Sequence, residues 1–231
     1  MDDIARNLAA VHARIAAAAA HAGRDPKAVR LMAVSKTQPV AAIESAWAAG
    51  QADFGENYLQ DATPKLDAFA GRPGLWHFIG ALQSNKSREV AERFQWMHTL
   101  DRDSIARRLS EQRPAGLPPL QVCLQVNVSD ESSKGGIMPE RVAALADAVA
   151  VFPRLKLRGL MAIPAPADDF ETQRAPFRIL RGLLEDIKKR GHDVDTLSMG
   201  MSDDLEAAII EGATIVRIGS AIFGPRPPKT A

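Results

Sequence analysis

A lysine at the end of an apolar segment is the residue of this sequence best placed for covalent chemistry. Lys36 directly follows the run Val29 to Ser35 and precedes Thr37, Gln38 and Pro39. If the run is a buried strand, the lysine amine lies at the end of that strand and not on a solvated face. A lysine in such surroundings can lose its proton near neutral pH and form a Schiff base with an aldehyde. The alternative is that Lys36 only ends a strand.

The elements around Lys36 alternate short apolar runs with amphipathic stretches, which predicts a parallel sheet covered by helices. Strands are predicted at Arg30 to Ser35, Ala52 to Gly55, Trp76 to Ile79, Trp96 to Leu100, Leu120 to Val128, Lys156 to Met161, Thr196 to Met199 and Thr214 to Ile218. Helices are predicted at Asp3 to His21, Val40 to Ala49, Ser84 to Arg93, Arg102 to Gln112, Pro139 to Val151, Ala175 to Arg190 and Asp203 to Glu211. Eight strands favour one (β/α)8 TIM barrel over residues 1–231 with an extra N-terminal helix. A doubly wound open sheet is the alternative.

In such a barrel the chemistry lies where strands end and loops begin. The loops after strands seven and eight, together with the short segment that follows, often bind phosphate. Ser202 has an alternative role as the cap of the next helix, and the acidic Asp203 and Asp204 count against an anion. The candidates on these two loops are Ser198, Met199, Ser202, Gly219 and Ser220.

Three further polar residues lie at or near strand ends. Arg217 is inside strand eight, where a charge must be paired. It is either in a salt bridge to a barrel carboxylate or faces the pyridine nitrogen of a cofactor. In the second case it would keep that nitrogen unprotonated and the ring a poor electron sink, which points to racemisation or to no chemistry and not to transamination. His77 is either a base or a core histidine, and Asn57 follows strand two.

Composition excludes several classes of protein. A net charge of +1 gives no electrostatic case for nucleic acid or for an anionic membrane. The alanine run Ala16 to Ala20 is too short to span a bilayer. The single cysteine, Cys123, excludes an internal disulfide, suits a reducing cytoplasm and lies in an apolar run, which predicts a buried thiol. No cluster of His, Cys and carboxylates has metal-ligand spacing, so no metal is expected.

Several motifs together resemble the pyridoxal phosphate homeostasis protein family, over nearly the whole chain. The motifs are Val34 to Thr37, Phe54 to Asn57, His77 to Lys86, Gly159 to Met161, Leu197 to Asp204 and Val216 to Gly224. The resemblance implies a barrel like the N-terminal domain of alanine racemase, with pyridoxal 5'-phosphate (PLP) held as a Schiff base on Lys36. It also implies Asn57 near the ring, Arg217 at the pyridine nitrogen, and phosphate contacts near Ser198, Ser202, Gly219 and Ser220.

The resemblance further implies a role in vitamin B6 homeostasis, with delivery of PLP to PLP-dependent apoenzymes and no firmly established reaction. Tyr58 departs from the family pattern, because a basic residue is common there. Racemisation through PLP needs acid–base groups on both faces of the substrate. Related racemases take the second group from a tyrosine on a second domain, whereas this chain has one tyrosine and no second domain is expected.

We therefore predict a non-catalytic PLP carrier with no catalytic residues. A weak amino-acid racemase with His77 or Tyr58 as the second base is the alternative. A third possibility is a phosphate-binding barrel enzyme without PLP. A monomer is favoured, because no long exposed apolar stripe remains beyond the barrel helices.

Overall fold

The computed structural model describes residues 3–129 and 135–224. Its centre is a closed barrel of eight parallel strands that follow one another in chain order. The predicted (β/α)8 barrel is therefore confirmed, and the open sheet is wrong. The strands are β1 Arg30–Val34, β2 Asp53–Glu56, β3 Leu75–Phe78, β4 Trp96–Leu100, β5 Leu120–Gln125, β6 Leu155–Met161, β7 Thr196–Ser198 and β8 Ile215–Ile218.

Helices lie between the strands, and one further helix precedes them. Three of the helices end two residues before a glycine, namely Gly50, Gly191 and Gly212, whose φ angles of 95°, 93° and 100° favour glycine. The helices are α1 Asp3–His21, α2 Val40–Ala48, α3 Leu59–Ala68, α4 Ser87–Arg93, α5 Asp103–Gln112, α6 Val142–Ala150, α7 Phe170–Lys189, α8 Leu205–Ile210 and α9 Ser220–Phe223.

Two helices differ from the prediction because proline lies inside them. Helix α7 begins at Phe170, not at Ala175, and contains Pro176. The carboxylate of Asp169 accepts a hydrogen bond from the Thr172 N–H at 2.9 Å, which fixes the true start. Helix α3, which the sequence reasoning did not name, contains Pro64. A proline usually marks a helix boundary, but the packed structure accommodates Pro64 and Pro176 inside these two helices.

Side chains alternate in direction along each strand, which gives the protein two separate hydrophobic cores. Side chains that point outward pack under the helices, whereas those that point inward fill the barrel. The inward cluster is small and contains Met32, Trp96, Cys123, Met161 and Ile215. Cys123 is fully buried, as predicted.

The extra helix α1 packs against α8 and α9 and holds the loops that precede them. Arg14 donates to the Ser202 carbonyl at 2.9 Å and to both carboxylate oxygens of Glu206. Asn7 donates to the Ile222 carbonyl at 2.9 Å. Helix α1 therefore holds the loop after β7 and the short helix α9 that follows β8. Over residues 3–129 and 135–224, no helix is long and apolar enough to cross a membrane.

Candidate functional site

A pocket of about 290 Å³ opens at the carboxyl ends of the strands. Six of the nine predicted site residues border it, namely Lys36, Asn57, Ser202, Arg217, Gly219 and Ser220. Its apolar wall is made by Val34, Ile79, Met161, Ile163 and Met201. The pocket thus joins one amine, one guanidinium, the side-chain amides of Gln38 and Asn57, and two loops of small residues. These are groups that can hold an anionic cofactor with an apolar ring.

Lys36 reaches the pocket because inward positions recur every two residues along β1. The Met32 side chain points into the barrel, and Val34 borders the pocket. Lys36, two residues further along, has its side chain on the same face. The next residue, Thr37, has a φ angle of 63°, which is strained for a β-branched residue. β1 ends at Val34, and the chain turns sharply directly after Lys36, so the lysine lies at the barrel rim.

A buried ion pair lies behind this turn. Lys65 of α3 donates to the Glu56 carboxylate at 2.7 Å, and its Nζ also donates to the Ser35 carbonyl at 2.7 Å. The Ser35 hydroxyl donates to the same Glu56 oxygen at 2.5 Å. The side chains of Lys65 and Glu56 are 4% and 0% exposed. Burial raises the pKa of Glu56, and the charge and hydrogen bond of Lys65 oppose this rise.

The sequence reasoning missed this pair, although one signal was present. Asn57 is inward, so the adjacent Glu56 must point outward, under the helices. A carboxylate buried there needs a cation, and α3 supplies Lys65 nine residues later. The other Glu56 oxygen, Oε2, has no hydrogen-bond partner within the described part of the chain.

Arg217 lies on the inner side of the barrel and bridges three strands. Its Nη1 donates to the Ser198 carbonyl at 2.5 Å and to the Ser198 hydroxyl at 3.0 Å, and its Nη2 donates to the Ala162 carbonyl at 2.8 Å. These hydrogen-bond partners are carbonyls and a hydroxyl, not the carboxylate of a salt bridge. Burial lowers the pKa of Arg217 to about 10, so the guanidinium is still charged at neutral pH.

Asn57 presents an unmatched polar atom at the pocket. Its Oδ1 is buried and has no hydrogen-bond partner among residues 3–129 and 135–224. Buried acceptors are nearly always satisfied, so this atom is available to a ligand. The backbone of Asn57 is fixed from the other side by Gly80, where an added Cβ would lie 1.9 Å from the Asn57 carbonyl oxygen.

Ser202 borders the pocket and does not cap the following helix. Helix α8 begins at Leu205, and its N-cap residue, Asp204, makes no side-chain cap bond. The Asp204 carboxylate instead accepts from the Met201 N–H at 2.5 Å, which closes the loop, and burial raises its pKa. Asp203 also borders the pocket and adds a carboxylate to its lining.

Three predicted site residues do not border this pocket. His77 is fully buried below it, because Ile79, two residues further along the chain, takes the inward position at the level of the pocket. The Met199 side chain packs in the outer core, beneath the helices. Ser198 is fully buried and can reach the site only through Arg217.

A second cavity, of about 370 Å³, lies beside the first. It is bordered by Asn57, Tyr58, Gln83 and Lys86 among others. Tyr58 is 61% exposed and lies on this side of Asn57. Within the described residues, no group of three or more His, Cys, Asp or Glu side chains could hold a metal ion.

Comparisons with known proteins agree closely with one another. The family model for the N-terminal domain of alanine racemase matches residues 6–227. A pyridoxal phosphate homeostasis protein from Pseudomonas aeruginosa is 62% identical over 98% of this chain and 97% of its own length. The protein of the same name from Escherichia coli is 56% identical over 98% of both chains.

Solved structures extend the comparison. PipY of Synechococcus elongatus, solved with PLP bound, is 34% identical and has a TM-score of 0.84, with 96% of this chain and 100% of that chain covered. Alanine racemase from Corynebacterium glutamicum shares the fold, with 19% identity and a TM-score of 0.74 over 100% of this chain and 63% of that one. The chain belongs to the alanine racemase N-terminal domain family and, within it, to the pyridoxal phosphate homeostasis proteins.

Proposed function

We propose that this chain binds PLP in the rim pocket, with Lys36 as the point of covalent attachment, and serves PLP homeostasis without catalytic turnover. The observation that carries the proposal is the meeting of Lys36, Asn57 and Arg217 around one cavity. The names of the Pseudomonas and Escherichia relatives, and PipY with PLP bound, support the same ligand. When bound, PLP would supply an aldehyde that condenses with an amine and a ring that accepts electrons.

The residues present fit this group. The unmatched Oδ1 of Asn57 can accept a hydrogen bond from a ligand hydroxyl. Gly219 lies against β1, where an added Cβ would lie 3.3 Å from the Val34 carbonyl oxygen, so a larger residue would narrow this side of the pocket. We assign the phosphate to the loops at Ser202, Gly219 and Ser220. His77 and Met199, which do not border the pocket, are left out of the proposed site.

Arg217 favours a carrier or a racemase over a transaminase. A charged guanidinium donates hydrogen bonds and accepts none. Facing a pyridine nitrogen, it would keep that nitrogen unprotonated and limit the strong electron withdrawal that transamination needs. The three hydrogen bonds of Arg217 to Ser198 and Ala162 hold it at the pocket floor without a ligand.

The positions of the two candidate second bases favour a carrier over a racemase. Racemisation would need a second acid–base group across the pocket from Lys36. Tyr58 is largely exposed and borders the neighbouring cavity, and His77 is buried below the pocket. Neither is among the residues that border the Lys36 pocket.

The proposal has further parts. The protein forms a single domain, is a cytoplasmic monomer, and passes PLP to PLP-dependent apoenzymes.

Reductive trapping tests the site. The protein is mixed with PLP, reduced with borohydride and mapped by peptide mass spectrometry. We expect the label on Lys36, its loss in Lys36→Met, and its retention in Lys86→Met, which removes an exposed lysine beside the second cavity. Label of equal yield in Lys36→Met would overturn the assignment of Lys36.

Turnover is tested separately. The PLP-loaded protein is incubated with L-alanine or L-serine in deuterated water, and the products are analysed for chirality and deuterium. We expect both to stay at the level of free PLP. Rapid inversion with deuterium incorporation would support the racemase and overturn the carrier.

A further inference from the structure

A row of buried polar side chains crosses the barrel interior, and the proposed function uses only its upper end. Asp53, the first residue of β2, lies 2.9 Å from Nε2 of His77. Nδ1 of His77 lies 2.9 Å from Nε2 of His98, and Nδ1 of His98 lies 2.8 Å from the Ser198 hydroxyl. That hydroxyl accepts from Arg217 at 3.0 Å. The row thus connects the pocket to the opposite rim of the barrel, at which the strands begin and which we call the far rim.

The chemistry of its two ends fixes the direction of every hydrogen bond. An ionised Asp53 only accepts, so His77 donates from Nε2 and, when neutral, accepts at Nδ1. His98 therefore donates from Nε2 and accepts at Nδ1 from the Ser198 hydroxyl. The Ser198 oxygen keeps a lone pair for Arg217, which only donates. Each donor then meets one acceptor, with both histidines neutral and protonated at Nε2.

The opposite direction leaves a conflict. If His98 carried its proton on Nδ1, its Nε2 would accept from His77 Nδ1, and the unprotonated Nε2 of a neutral His77 would then face the Asp53 carboxylate, which only accepts. The Ser198 proton would also lose its partner in the row. The charged groups near the histidines are Asp53, Arg30 and Arg217. Burial lowers the pKa of both histidines, and only the Asp53 charge and hydrogen bond oppose this for His77.

We infer that Asp53, His77 and His98 are positioning residues for Arg217. Together they orient the Ser198 hydroxyl so that its oxygen accepts from the guanidinium at the pocket floor. Asp53 sets the direction because a carboxylate cannot donate. Asparagine has nearly the same shape, but its amide can turn and donate to His77, so Asp53→Asn removes the directional constraint. It also removes the ion pair of Asp53 with Arg30 at 3.3 Å, so its control must lose an ion pair at the same rim. Asp195→Asn is the matched control, because Asp195 also lies at the far rim but pairs with Arg158 and Thr196 instead.

The first test reads the proton positions in the ligand-free protein and so does not depend on the proposed function. Nitrogen NMR of isotope-labelled histidine should show His77 and His98 neutral and protonated at Nε2 at neutral pH. Asp53→Asn should change the signals of both rings, and Asp195→Asn should leave the tautomers unchanged. A charged ring, or a proton on Nδ1 of either histidine in the unsubstituted protein, would overturn the inference.

The second test rests on the proposed function and measures the dissociation rate of PLP. One weakened hydrogen bond corresponds to about a three- to tenfold change, which we expect for Asp53→Asn. The Asp195→Asn control should stay within about twofold, since its salt bridge is on the surface. Equal rates in the two variants would overturn the positioning role. If the protein holds no PLP at all, the proposed function fails, and the NMR experiment still decides the hydrogen-bond direction.

Discussion

The Nζ of Lys65 lies 2.7 Å from the carbonyl oxygen of Ser35, the residue directly before Lys36. The same amine is paired with Glu56, which precedes Asn57. One buried lysine thus fixes the backbone beside two residues of the pocket, on two neighbouring strands. The strained turn at Thr37 follows immediately, so the anchor at Ser35 helps to hold Lys36 at the rim.

Removal of Lys65 should therefore destabilise the fold. In Lys65→Met the Glu56 carboxylate stays buried without its cation, which costs about 3–5 kcal/mol in the free energy of unfolding. Urea unfolding measures this loss. Lys86→Met, at an exposed position, should change stability by less than about 0.5 kcal/mol. The double variant Lys65→Met with Glu56→Gln should recover part of the loss, and a double variant no better than Lys65→Met would contradict the ion-pair explanation.

The stability of Lys65→Met should depend on pH in a defined direction. Because the pKa of Glu56 is raised in the folded state, its burial lowers stability as pH rises above the ordinary glutamate value, until the folded pKa is passed. Without Lys65 the pKa rises further and the penalty grows. The loss relative to the unsubstituted protein should be smaller at about pH 5 than at about pH 8. Urea unfolding at both values measures it, and an equal loss would argue against titration of Glu56.

Arg217→Lys should weaken the barrel and the pocket although it keeps the charge. An ammonium on a flexible chain cannot reproduce the fork that reaches both Ser198 and Ala162. Buried carbonyls that lose a donor cost about 1–3 kcal/mol in the free energy of unfolding. Arg88→Lys, on the surface of α4, is the control and should be neutral. Thermal unfolding and PLP retention should fall together, and unchanged PLP retention would place Arg217 outside the site.

The fold and much of the pocket could be predicted because both follow local patterns. Alternation of apolar runs and helices gave the barrel, and the known location of chemistry at strand ends gave Lys36, Asn57 and Ser202. His77 shows the limit of this reasoning. Its side chain points into the barrel, as a site residue must. Its height along the barrel axis, however, depends on the strand register, and Ile79, directly after β3, is the residue that lies at the height of the pocket. Sequence periodicity fixes the face of a strand, not the level in the barrel.

The supporting residues could not be predicted for a related reason. Arg14 donates to the loop after β7, and Lys65 donates to the segment after β1. In both cases other helices and strands lie between the two partners in the sequence. No local pattern indicates which helix face meets which loop, because helix packing on the barrel decides that contact. A buried charge such as Glu56 indicates only that a partner must exist.

Cys123 should be inert in the folded protein. It lies inside the barrel with no exposed surface, and burial raises the pKa of its thiol, so the reactive thiolate is scarce. A thiol reagent such as DTNB should react at a rate limited by unfolding and stoichiometrically in denaturant. The test is the rate of DTNB labelling of the native protein, with and without PLP at a concentration that stabilises the fold. Fast labelling of the native protein would mean that the barrel interior opens to solvent.

Two glycine-to-alanine substitutions should have opposite effects on stability. At Gly80 an added Cβ would lie 1.9 Å from the backbone oxygen of Asn57, and the Gly80 carbonyl is held by the Thr99 hydroxyl at 2.6 Å. Neither neighbour can move without distortion of the strand ends, so Gly80→Ala should cost more than about 3 kcal/mol and displace Asn57 from the pocket. Gly182 lies within α7, and its added Cβ would meet nothing within 4 Å.

Gly182→Ala should therefore raise the free energy of unfolding by about 0.5–1 kcal/mol, because alanine loses less backbone entropy in a helix. Urea unfolding of both variants gives the sign and size of each effect, and PLP dissociation reports the pocket. We expect faster dissociation in Gly80→Ala and an unchanged rate in Gly182→Ala. If Gly80→Ala unfolds like the unsubstituted protein, the close approach of Gly80 to Asn57 does not exist, and the backbone of Asn57 is held by other contacts.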